Sequence, residues 1–473
     1  MKLTRRAVTA GLMAAPAILN GARASAPSLP PIAPEDADFA LPGSVLYQTT
    51  LPAYSLRTQL KPAVRVLPKT VHGLAQAVDW VRERDLPFAL RSGGHSYEGF
   101  SQSTGVVIDT RQMTAISWEE EGHILSVGAG TTLGDIYRFV GARGFAFPGG
   151  TCPTVGVTGH VLGGGFGLLG RSRGLACDNL IGIDLVDPDG NAVRADADRN
   201  ADLFWACRGG GGGTFGAVSR LRFRLAPIGT VTIFAASWTL PLPKAVALFR
   251  AWQDWAPGAP DAITGVFRLS RQRDGNLLLH ITGITTGAGA EVRNELQGLF
   301  DVAKPSAGLI LTPMPYLSAV NHFSGGWTYE SYYSKSKSDF ITRPLDATGV
   351  ETLLGGIAAL PANEVVVICD AFGGALDRVG ADETAFAYRA GTQYCMQYYT
   401  AWGGAAAGLK RMADLRALYA AMRPWSGGAY VNYCDLEVRD WRTAYWRQNA
   451  ERLAAIKSRF DPDNFFHHAQ SVT

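Results

Sequence analysis

Glycine constrains this chain more than any other feature. The 473 residues hold 55 glycines, and they crowd into three stretches: "RSGGHSYEG" at 91–99, "GGTCPTVGVTGHVLGGGFGLLG" at 149–170 and "GGGGGTFG" at 209–216. Glycine gives up more conformational freedom on folding than any other residue. Such clusters therefore mark places where backbone must take positive φ or come very close to something else. Residues 165–170 and 211–216 both match GxGxxG. A dinucleotide-binding turn needs a strand directly before that motif and a helix directly after it. "VGVTGHVLGG" is too glycine-rich for a central strand, "RSRGLACDN" is a poor helix, and the second match runs into a strand-like segment. A nicotinamide-binding Rossmann fold is therefore not expected. Three glycine clusters in one α/β unit fit backbone packed against one large flat cofactor with a pyrophosphate, because N–H groups in such loops form anion-binding concavities.

The rest of the composition sets the class. A chain of this length is expected to hold more than one domain or one large two-part unit. It is 47% hydrophobic and 18% charged with a formal charge of +3, so a large core is expected and a nucleic-acid footprint is not. Residues 1–24 read as an export signal, with Arg5 and Arg6 before an apolar run at 7–19 and Ala22-Arg23-Ala24 as a small-x-small cleavage site. The paired arginines favour the twin-arginine route over an ordinary secretory signal, which predicts a periplasmic or extracellular protein. The run is too short to span a membrane, and no later stretch would anchor the chain. Cys152, Cys177, Cys207, Cys369, Cys395 and Cys434 show no CxxC spacing, so no zinc or iron–sulfur site is expected. An oxidising compartment would allow one disulfide without requiring it.

An α/β rhythm begins near residue 60. Thr70 is placed to cap a helix whose apolar face is Leu74, Ala77, Val78 and Val81. Residues 88–90 then read as a strand delivering the "RSGGHS" loop. Further strands are expected at 106–108, 124–127, 180–186 and 218–225, with a helical face at Leu133, Ile136, Tyr137 and Val140. From 229 onward the strands lengthen and alternate, with a helix at 243–255 and a strand opening "VVVICDAFGGAL" at 365–376. "AYVNYCDLEV" at 429–438 reads as one more strand, followed by helix signals through 441–456.

In order, "RSGGHSYEGFS", "GGTCPTVGVTGHVLGGGFGLLGRSRGLACDN", "RGGGGGTFGAV", "YVNYCDLEV" and "DPDNFFHHAQSV" resemble the berberine-bridge-enzyme-like branch of the vanillyl-alcohol-oxidase flavoproteins. The resemblance runs from about residue 45 to residue 473. It implies an α+β fold with three parts. A two-part PCMH-type FAD-binding domain covers 45–228, a substrate domain with a helix-covered antiparallel sheet covers 229–425, and 426–473 return to the FAD domain. It also implies FAD bonded at its 8α-methyl to His95 and at C6 to Cys152. Ser92, Gly93, Gly94, Ser96, Gly156, Thr158, Gly159 and Gly163 would line the cofactor, with Val218 on its adenine side. Asp178 and Asn179 would be structural.

The same resemblance makes Tyr433 the base that takes the substrate proton, assisted by Asp370. A free tyrosine near pH 10 is a poor base at neutrality and needs such a partner. On a strand Tyr430 would face away from Tyr433, as a packing residue against the cofactor side. Tyr97, Gln393 and Tyr394 are expected in the substrate pocket. The aromatic run "GGWTYESYY" at 325–333 would stack a ring or fill core, and His467-His468 would be a solvated terminus without metal. The expected activity is an exported oxidase of a hydroxyl-bearing small molecule. Hydride would pass to flavin N5, with O2 reduced to H2O2. A sugar or oligosaccharide is the first substrate class. An aromatic alcohol, a secondary metabolite or an acceptor other than O2 are the alternatives.

Overall fold

The computed structural model describes residues 28–324 and 329–473. The expected export signal and residues 325–328 of the aromatic run lie outside them. The architecture is mixed α+β and rests on three main sheets. A four-stranded sheet is ordered Ala37–Ala40, Val64–Pro68, Val106–Asp109, Phe88–Arg91, with the last three strands parallel. The helix Val71–Glu83 crosses between two of these strands. The Thr70 hydroxyl accepts the Gly73 N–H at 3.0 Å, and Leu74, Ala77, Val78 and Val81 are buried. An antiparallel five-stranded sheet is ordered Ile116–Glu119, Ile124–Gly128, Ala217–Arg224, Leu180–Val186, Ala192–Ala195.

The third sheet has seven antiparallel strands in the order Ile310–Pro315, Thr230–Leu240, Leu277–Thr285, Ile263–Arg271, Val366–Ala371, Tyr394–Trp402, Tyr333–Ile341. Helices Leu242–Trp255, Ala347–Ala359 and Gly408–Met422 contribute to the core on one of its faces, with Tyr394, Met396 and Tyr398. Side chains alternate across a strand. Cys395, Gln397 and Tyr399 therefore point to the opposite face, together with Asp370 on the neighbouring strand.

Two expectations fail in the C-terminal part. Residues 429–438 pair with no strand. Val431–Tyr433 form a 3₁₀ turn, because side chains fix this backbone in place of a ladder. Asn432 Nδ2 donates to the His160 carbonyl and to the Tyr430 hydroxyl, both at 2.9 Å. The expected helix at 441–456 is two helices, Trp441–Trp446 and Ala450–Phe460, broken where Arg447 takes φ +48°. Asn449 at the break donates to the carbonyls of Ala381, Thr384 and Ala385. All six cysteines are free.

The loop carrying His95 is anchored by charge. Asp109, fully buried at the end of its strand, takes ion pairs from Arg65, Arg91 and Arg111. Arg91 opens the loop and also donates to the Leu51 and Pro52 carbonyls. Removing one partner from a buried ion cluster strands the others, typically at a cost of about 3–5 kcal/mol. Asp109→Asn should lower unfolding free energy by roughly that amount in urea titration of the holoprotein. A loss below about 1 kcal/mol would mean that the arginines are solvated rather than held by this carboxylate.

Candidate active site

The three glycine loops and the C-terminal segment enclose a cavity of about 410 Å³, within the usual range for ligand sites. Its closest contact is between two loops. A Cβ on Gly93 would lie 2.2 Å from the Gly156 nitrogen, and one on Gly156 would lie 2.3 Å from the Gly93 nitrogen. The Ser92 and Thr158 hydroxyls both donate to the Ala129 carbonyl at 2.8 Å, tying the loops to the end of strand Ile124–Gly128. Gly94 sits at φ +71°. Among the described residues, the N–H groups of Gly93, Gly94, His95 and Ser96 have no backbone acceptor. A Cβ on Gly159 would meet nothing within 4 Å, and Ser101 on the cavity wall keeps a buried hydroxyl without a partner. Free donors and glycine walls suit a dinucleotide with a flat ring. Val218 also lines the cavity. Gly163 does not. A Cβ there would fall 2.1 Å from Asn432 Oδ1, so it makes room for Asn432 rather than for a ligand. Asp178 pairs with Arg389 at 2.7 Å, and Asn179 donates to the Arg173 and Leu175 carbonyls, both in structural roles.

His95 and Cys152, 57 positions apart in sequence, lean on one side chain. The Thr154 hydroxyl lies 3.0 Å from His95 Nε2 and 3.6 Å from Cys152 Sγ. Tyr54 stacks on the His95 ring at 4.9 Å, and Tyr329 meets it edge-on at 5.2 Å. Burial, and then the nearby Arg91 charge, push the His95 imidazole down to about 4, so it is neutral at pH 7. Behind the Cys152 loop, His160 Nε2 accepts the Gly150 N–H at 3.0 Å, and burial holds it down to about 4 as well. The sequence reading missed Tyr54, Thr154 and His160.

Tyr433 faces Tyr97 at 6.0 Å between rings and Tyr430 at 5.0 Å. Tyr430 is buried, and its hydroxyl accepts the Gly165 N–H at 2.9 Å, holding the middle glycine loop on the cavity wall. Burial, then the Asp370 carboxyl, hold the Tyr433 phenol well above its usual range. Burial raises Asp370 to about 7 against the pull of Arg268. No side-chain hydrogen bond joins Asp370 to Tyr433 among the described residues. Tyr97 lines the cavity, and its hydroxyl accepts from Gln397 Nε2 at 3.2 Å. Gln393 and Tyr394 are not pocket residues. Gln393 donates back to the Gly391 carbonyl, and Tyr394 is fully buried against Trp252 and Gln253 on the helix side of the sheet. The site-facing residues of that strand are Gln397 and Tyr399, the latter 3.0 Å from the Tyr54 hydroxyl. His468 is not a solvated terminus: it lines the cavity and stacks on Phe100 at 4.3 Å, while His467 is exposed.

A buried ionic web ties these segments together. Lys335 bonds Glu98 at 2.6 Å and also Asp435, Lys337 bonds Asp435 at 2.6 Å, and Arg57 bonds Glu98 at 2.9 Å. Glu98 follows Tyr97, and Asp435 lies two residues past Tyr433, so the web sets the spacing of the two tyrosines.

Residues 62–196 match the FAD binding domain family, and residues 429–473 match the family described as berberine and berberine like. The FAD-linked oxidoreductase YgaK of Bacillus subtilis, itself uncharacterized, is 32% identical over 88% of this chain and 92% of its own length. The chain belongs to the berberine bridge enzyme-like family. Among solved structures, Physcomitrella patens BBE-like 1 matches with a TM-score of 0.86 at 27% identity, over 93% of this chain and 97% of that one. Glucooligosaccharide oxidase from Acremonium strictum, described with 6-S-cysteinyl, 8α-N1-histidyl FAD, matches with a TM-score of 0.84 at 26% identity, over 92% and 97%. This member of the family is an FAD-linked oxidoreductase with a PCMH-type FAD-binding domain.

The buried histidines carry a pH consequence. A histidine ordinarily near 6.5 and held at about 4 when folded binds fewer protons in the native than in the unfolded chain between those values. Its contribution is complete above about 6.5 and is lost as pH falls toward 4. The melting temperature should therefore drop across that interval, and His160→Gln, whose amide oxygen still accepts the Gly150 N–H, should flatten the drop. Parallel melting curves for the two proteins from pH 7 to 4 would refute the assignment.

Proposed function

We propose that this family member is an exported FAD-dependent oxidase, with FAD bonded through both His95 and Cys152, that oxidises a hydroxyl-bearing substrate. The observation that carries the reading is the convergence of these two side chains on the Thr154 hydroxyl at one end of the cavity. Ser92, Gly93, Gly94, Ser96, Gly156, Thr158 and Gly159 would hold the cofactor's pyrophosphate and ring. FAD, when bound, supplies the hydride acceptor and passes the electron pair to O2 as H2O2. The twin-arginine-like leader supports export. No helix among the described residues is long and apolar enough to cross a membrane.

Tyr433 takes the proton of the substrate hydroxyl. Its phenol is neutral, so it accepts that proton only as it releases its own. Asp370, poised at about 7, is the group able to receive it. The two make no direct bond, so a water or a second substrate hydroxyl completes the path. Tyr97 and Gln397 frame the same face of the substrate.

A sugar or oligosaccharide, oxidised at its anomeric carbon, fits the polar sheet face best. Ser237, His280 and Arg268 sit opposite one another on three adjacent strands, with Ser237 Oγ 2.7 Å from His280 Nδ1. At about 4.8 Å per strand, this row extends well past one ring from Asp370. Tyr54, Tyr97 and Tyr399 favour the second reading, an aromatic alcohol stacked among them.

Anaerobic flavin reduction by a panel of oligosaccharides and aryl alcohols tests the assignment, and reduction by none of them overturns it. Tyr433→Phe should slow reduction about 10²–10⁴-fold without loss of colour. The reduction rate should rise with pH through about 7 as the Asp370 carboxylate forms, and Asp370→Asn should abolish that limb. Denatured His95→Ala and Cys152→Ala proteins should each keep the mass of FAD, and the double variant should lose it.

A further inference from the structure

We propose that Thr154 is the positioning residue for covalent attachment of the flavin, aligning both nucleophiles through one hydroxyl; this rests on the two-bond reading above. His95 Nε2 lies 3.0 Å from the Thr154 hydroxyl. In the tautomer with the proton on Nε2, that nitrogen donates to the Thr154 oxygen. Nδ1 then keeps its lone pair, and no protein group among the described residues bonds to it. With its oxygen accepting from Nε2–H, the Thr154 hydroxyl has one proton left to give, and the Cys152 sulfur at 3.6 Å is the acceptor in reach. The chain Nε2–H to Oγ1–H to Sγ thus does two things. It presents a free Nδ1 lone pair, and it places a donor on the sulfur, which orients Sγ for attack. Stacking by Tyr54 and the edge of Tyr329 fix the plane of the ring while this occurs.

The chemistry balances at each link. One C–H of the flavin's 8α-methyl and the imidazole N–H are replaced by a C–N bond. One C–H at C6 and the thiol S–H are replaced by a C–S bond. Each replacement releases two protons and two electrons, and O2 takes them as one H2O2. After Nδ1 is alkylated the ring carries an extra positive charge, and Nε2–H is the proton it sheds; Thr154 is the group already receiving it.

The test uses protein purified with its FAD, comparing wild type, Thr154→Val and Thr154→Ser, each also combined with Cys152→Ala and with His95→Ala so that either bond is read alone. The readouts are intact mass and visible absorbance of the acid-denatured chain, with the melting temperature of the folded protein as a control. Thr154→Val should bind FAD and stay yellow when folded. It should form each bond at least about tenfold more slowly, so that denaturation releases the colour. Thr154→Ser should restore both bonds, and Thr154→Ala replaces the valine variant should the latter not fold. Linkage at the wild-type rate without the hydroxyl, or failure of serine to restore it, overturns the inference. A wild-type chain with the bare polypeptide mass overturns the two-bond reading itself.

Discussion

The contact between Gly93 and Gly156 governs everything built around it. Two loops, one leaving the four-stranded sheet and one preceding the helix Val157–Leu162, press backbone against backbone with no room for a single methyl group on either side. That approach brings His95 and Cys152 to the same threonine, although the loops belong to different sheets. Only glycine permits it, and the Ser92 and Thr158 hydroxyls on the Ala129 carbonyl keep the two loops in register.

Charge does the remaining positioning, around carboxylates that are themselves buried. Asp109 gathers three arginines under the His95 loop. Lys335 and Lys337 bind Glu98 and Asp435 and so couple the loop of Tyr97 to the turn of Tyr433. Buried ion pairs add little net stability compared with apolar packing. Here they specify where chain segments from three different elements meet.

Much of this was legible in the chain. The Thr70 cap, the helix after it and most strands of the first two sheets follow from period and capping. The glycine loops announce the cavity, and His95 and Cys152 both line it. What was not legible follows physical rules that act across elements. Counting by two along the strand from Cys395 reaches Gln397 and Tyr399 and puts Tyr394 on the other face, while Gln393 precedes the strand, but the sequence does not say which face of that strand meets the helices. "YVNYCDLEV" has the composition of a strand, yet Asn432 and Asp435 find side-chain partners that bend it into a turn. "SKSKSD" at 334–339 reads as a solvated strand, and it is buried because its lysines find carboxylates from elsewhere. Thr154, Tyr54 and His468 gave no local signal, since their roles come from what packs beside them.

The wall of the cavity joins Phe100 to His468, residues 368 positions apart, with the whole seven-stranded sheet threaded between them. Closing so long a span is entropically costly and kinetically late. The nest for the cofactor is therefore discontinuous along the chain. A fragment ending near residue 228 would hold His95 and Cys152 but lack one side of their chamber, and in the cell the chamber shuts only after the intervening sheet has been synthesised and packed.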